Sequence, residues 1–129
     1  MLKKTITYTD FNGNIRKQDF YFNLTQQEVA ELEITTPGGI EAYVDGIVNA
    51  KSQVELLDFF KRLIRMSYGK KSPDGINFYK SDEIWKNFES TQAYSDLYME
   101  LATNTEEAIK FFNGIVPKKA EDTSVVAVQ

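Results

Sequence analysis

Two hydrophobic periods run through this chain. In the first 23 residues the period is two. Ile6 and Tyr8 alternate with Thr5, Thr7 and Thr9, and Phe20 and Phe22 alternate with Asp19 and Tyr21, which predicts strands over 3–9 and 15–23. Asp10-Phe11-Asn12-Gly13-Asn14 lies between them, and Asn-Gly between alternating runs is a strong hairpin signal. A hairpin is marginal alone, so one face should dock on other elements.

Beyond residue 24 the period becomes helical. In Ser52 to Gly69, the residues Leu56, Leu57, Phe59, Phe60, Leu63, Ile64, Met66 and Tyr68 fill an arc of roughly 200° at 100° per residue. Surface helices show a narrower stripe, so this helix should be covered on more than one side. Glu55, Asp58, Lys61, Arg62 and Arg65 occupy the remaining arc, joined only by Val54. Ser52 with Glu55 has the form of a capping box, and Gly69 that of a left-handed terminator followed by Lys70 and Lys71 at the negative helix end.

The other helices follow the same logic. Thr25 caps the first, with Glu28 at the capping-box position and Val29, Leu32 and Ile34 on its apolar side. Pro37-Gly38-Gly39 ends it. Ile40, Tyr43, Val44, Ile47 and Val48 mark a helix over 40–49. KKSPDGINFYK, residues 70–80, reads as a loop that turns at Ser72-Pro73-Asp74-Gly75. Ile76, Phe78 and Tyr79 could tuck it onto the core. Ser81 caps a short helix carrying Ile84, Trp85 and Phe88. Ala93, Tyr94, Leu97, Tyr98 and Leu101 share one face of a helix from about Thr91 to Ala102, with Met99 pointing away. Thr103 and Glu106 suggest a capping box for a last helix bearing Ala108, Ile109 and Phe112, with Gly114 near its end. The expected fold is α+β, mainly α: an N-terminal β-hairpin (3–23) packed on a bundle of about five to six helices (25–114) around a central helix at 53–68. A single globular domain is expected over 1–116, and a flexible C-terminal tail over 117–129.

Composition narrows the chemistry. The 129 residues include no cysteine and no histidine, which removes thiol catalysis, sulfur-ligated metal and the commonest general base. Serines have only lysine or carboxylate as a base, and Asp82-Glu83 and Glu106-Glu107 suit positive helix starts better than acid–base work. Neither an enzyme nor a cofactor is expected. The net charge of −4 offers no basic footprint for nucleic acid. No apolar run is long enough for a membrane helix, and the start lacks the pattern of a signal peptide, so a cytoplasmic protein is expected. The Asp10–Asn14 oxygens have the wrong spacing for a calcium loop, since the glycine precedes the third ligand and Tyr21 stands in the place of the bidentate glutamate. Nine Phe, seven Tyr and one Trp should mostly form core, while Tyr and Trp also suit interfaces. These readings describe a helix-rich interaction module without naming its partner.

NLTQQE (Asn23–Glu28), SYGKKSPDGINFYKSDE (Ser67–Glu83), FESTQAYSDLYMELAT (Phe88–Thr103) and FFNGIVP (Phe111–Pro117), in this order, resemble the small tail assembly chaperones of long-tailed bacteriophages. The resemblance implies a protein that binds the tape measure protein, keeps its apolar helices soluble, promotes tail-tube assembly and is absent from the mature virion. It also implies a host-cytoplasmic location and the short form of a pair whose longer product arises by programmed frameshift and engages the tail tube protein. Lys118-Lys119 is the expected slip site. Self-association along the client is a further expectation. The family carries no catalytic residues. Trp85, Tyr94, Tyr98 and Met99 are the expected protein contacts. The competing reading is a small structural tail or head–tail connector protein of the virion.

Overall fold

The computed structural model describes residues 1–117. The side chains of Val44, Ile47 and Val48 and the expected tail beyond Pro117, with Lys118-Lys119, lie outside what it describes. Four strands form one antiparallel sheet in the order β1 (Leu2–Thr9), β2 (Ile15–Phe22), β3 (Tyr68–Lys71), β4 (Phe78–Tyr79). The helices are α1 (Gln26–Thr35), α2 (Ile40–Ala50), α3 (Gln53–Ser67), α4 (Asp82–Glu89), α5 (Gln92–Thr103) and α6 (Thr105–Ile115). The fold is α+β and mainly helical, with a larger sheet than the hairpin expected.

The first hairpin pairs Leu2 with Phe22 through Thr9 with Ile15. Its connection is a five-residue loop, not a two-residue turn. Gly13 donates to the Asp10 carbonyl at 3.0 Å and takes a left-handed φ of 84°, while the Asp10 carboxylate accepts from the Asn12 and Asn14 amides at 2.9 Å each. Ile6, Tyr8 and Phe22 are buried and the intervening threonines exposed, as the period of two requires.

The segment expected to be a loop at 70–80 is instead the second hairpin, β3–β4. Its Ser-Pro-Asp-Gly sequence does form the turn: Gly75 donates to the Ser72 carbonyl at 2.9 Å, and the Asp74 carboxylate accepts from the Ser72 hydroxyl and the Ile76 amide. Lys70 pairs with Tyr79 and Lys71 with Phe78. Of the three side chains expected to tuck inward, only Phe78 is half-buried, and Ile76 is exposed. Gly69 does not terminate a helix. It lies buried in β3, where a methyl group would meet the Phe78 ring and the Tyr79 carbonyl at 2.7 Å. α3 ends one residue early, with Tyr68 already extended, and Lys70 and Lys71 therefore sit on a strand.

The caps at Thr25, Ser52 and Ser81 stand where expected, and Thr91, the expected start of the fifth helix, is the cap of α5. Thr25 and Glu28 make both bonds of the capping box, whereas Ser52 makes only the forward bond, to the Glu55 amide at 3.4 Å. The last helix is capped by Asn104, not Thr103. Thr103 ends α5 and turns its hydroxyl back to the Met99 carbonyl. A four-residue back-bond of this kind is the usual alternative employment of threonine.

One apolar cluster draws on the sheet and all six helices, from Ile6 and Phe22 to Leu32, Ile40, Ile64, Phe88, Leu97 and Ile115. The helix around which the others gather is α5, which packs on β1, α3, α4 and α6; the main partners of α3 are α2 and α5. Ile34, expected on the inner side of α1, is exposed.

Candidate protein-binding groove

The surplus apolar arc of α3 borders a concavity. Phe59 and Leu63 are buried, but Leu56 and Phe60, one turn apart, are only half-covered. They face an open groove of about 630 Å³ bounded by α1, α2, α3, the end of α5, and α6. Its floor is Ile40, Phe59, Leu63, Leu101 and Ala108, each below 10% exposure. Ile109 and Phe112 form the α6 wall, and Val29 closes the α1 end.

The α6 wall results from how that helix is rolled. Its buried stripe is Ala108, Phe111 and Ile115, so Ile109 at 56% exposure and the half-buried Phe112 turn toward the groove. Gly114 allows this seating, since Leu2 of β1 lies where a side chain on residue 114 would be.

The rim is polar on one side only. Glu33 of α1 and Glu41 and Asp45 of α2 line it, with Thr105 the remaining polar contributor and no lysine or arginine among the lining residues. The Glu33 carboxylate accepts the Ile40 amide at 3.1 Å, the usual service of an acid at a helix start. The turn joining α2 to α3 holds Lys51 at a left-handed φ of 55°, and so sets one wall of the groove against another. The arrangement suits an apolar ligand surface. Among the described residues, no group of three or more acidic side chains is placed to hold a metal ion, and no helix is long and apolar enough to cross a membrane.

The four residues singled out from the sequence lie on α4 and α5, and none lines the groove. Trp85 is 6% exposed, edge-on to Tyr94 at 5.4 Å and to Phe88 at 6.1 Å. Tyr94 and Tyr98 are half-buried with ring centres 6.3 Å apart. Burial, followed by the nearby Glu89 and Tyr98, pushes the Tyr94 phenol up from its ordinary pKa. Met99 is 53% exposed, on the outer side of α5 as its position predicts. The groove left its own signal in the sequence: an apolar arc on α3 wider than its neighbours cover, and a second apolar edge, Ile109 and Phe112, on α6.

A family model described as phage tail assembly chaperone matches residues 1–126. No curated protein and no solved structure matches the chain.

Proposed function

The chain belongs to the phage tail assembly chaperones, and from that premise we propose that it receives an amphipathic helix of the tape measure protein in the groove between α2, α3 and α6. The observation that carries this reading is the groove itself: about 630 Å³ and lined mainly by apolar side chains. A helix laid in a groove buries its i, i+3, i+4 and i+7 side chains. Leu56, Phe60, Ile109 and Phe112 offer the matching surface. Burial of large apolar side chains on both partners is worth roughly 1.5–3 kcal/mol for each one fully covered, so one groove binds modestly. Several copies along a long client gain avidity through linkage. The client's apolar faces are thereby kept from self-association in the host cytoplasm until tube subunits replace the chaperone, which is then left out of the virion. A longer product of the same gene would recruit the tube protein.

Co-expression tests the reading. The tape measure protein of the same phage should stay in the soluble fraction with the native chain. With Leu56→Glu/Phe60→Glu it should pellet, while circular dichroism of the variant stays helical. A folded double variant that still keeps the client soluble would refute groove binding.

A further inference from the structure

The acidic rim specifies the ligand further. We infer that the groove selects a helix whose apolar stripe is bordered by lysine or arginine, an inference that rests on the groove being the client site. Glu41 and Asp45 stand one turn apart on the exposed edge of α2, and Glu33 joins them from α1. Like charges four residues apart on a helix repel, and no ion pair among the described residues involves any of the three. Glu33, which accepts the Ile40 amide, and Glu41, in the first turn, both also serve the positive start of α2. Glu41 and Asp45 line the groove without an ion-pair partner among the described residues, while α3 and α6 line it with Phe60, Ile109 and Phe112. A helix seated with its apolar stripe on that wall brings one border of the stripe alongside the carboxylates. A basic border relieves their mutual repulsion. An acidic border adds to it in a partly dehydrated setting, where charge interactions are stronger than in bulk water, so the rim also rejects wrong partners. The same carboxylates disfavour nucleic acid and anionic membrane as occupants.

The test uses two labelled peptides with an identical leucine–alanine stripe, one bordered by lysine and the other by glutamate, titrated with the full chain. The lysine peptide should bind on the order of tenfold more tightly at low salt, because a few rim charge pairs together amount to about one decade of affinity. The gap should narrow at about 1 M salt, where the Debye length falls to about 3 Å. Glu41→Lys/Asp45→Lys should reverse the preference. Glu41→Gln/Asp45→Asn, which adds no new charge, should abolish it. Equal binding of both peptides, or binding of neither, overturns the charge rule. Either of those results, with tape measure solubility still sensitive to Leu56→Glu/Phe60→Glu, leaves groove binding standing. Loss of that sensitivity removes groove binding itself.

Discussion

Lys80 shows how much a single side chain can join. Its ammonium donates to the Asn23 and Met66 carbonyls at 2.7 Å each and to the Glu28 carboxylate at 2.7 and 2.9 Å. Three hydrogens thus meet three partners, and no donor is left over. The bonds tie the exit of β2, the start of α1 and the last turn of α3 to the end of β4. Lys80→Met should cost about 2 kcal/mol, the range for hydrogen bonds to a charged group, and lower the Tm by roughly 6–10 °C in a thermal melt. A change within 1 °C would show that water replaces the bonds at no loss. Asp10 makes a smaller knot. The Arg16 guanidinium, then the Asn14 amide, hold its carboxyl below the ordinary aspartate range. A lowered folded pKa means this stabilisation is complete above the ordinary value and is lost as pH falls through the lowered one. Proton exchange at the Asn12 and Asn14 amides, once corrected for intrinsic rate, should therefore accelerate only below the ordinary aspartate range. Neither knot follows a periodicity. The Asp10 loop was legible because its partners are neighbours, whereas Glu28 lies 52 residues from Lys80 in the chain.

Among the elements, caps and periods were read correctly wherever the chain obeyed its local rules. α1, α3 and α4 begin at the expected caps, and α5 starts within a residue of where its period placed it. Misreadings came where two local signals competed. Thr103 and Asn104 are both capping residues, and the threonine was already committed to α5. The 68–79 hairpin was hidden because its strands are only four and two residues long, too short to show alternation. Its place depends on Gly69 admitting the Phe78 ring. The aromatic surface of α4 and α5 separates core from contact. Trp85→Ala should destabilise the fold by about 3–5 kcal/mol, the cost of emptying a buried aromatic site, whereas Met99→Ala should change stability by less than about 0.5 kcal/mol, both read from denaturant midpoints. If Met99→Ala weakens tape measure co-purification, the outer face of α5 is a second contact beside the groove.

For the whole molecule, the groove could not be read from any one segment, because its walls come from residues near 30, 40, 60 and 110. What the sequence did show was an apolar arc on α3 wide enough to need cover on more than one side, and the groove lies along the part of that arc left half-covered at Leu56 and Phe60. Residue order and spacing carried the family resemblance, which the match over residues 1–126 supports. The reading of a transient assembly factor predicts that mass spectrometry of purified particles finds tube subunits and tape measure but not this chain. A stoichiometric presence would favour the connector reading instead.

The pairing of the earliest and latest segments has a consequence for biosynthesis. β1 is held by α5 and α6, with Lys4 bonded to Glu100 at 2.8 Å and Leu2 seated over Gly114. The groove likewise lacks a wall until Ile109 and Phe112 are in place. A nascent chain that has not yet cleared the ribosome through α6 displays half a cleft and an uncovered sheet. The groove is therefore complete only once the chain has emerged through Phe112, and fragments that stop before α6 lack one of its walls.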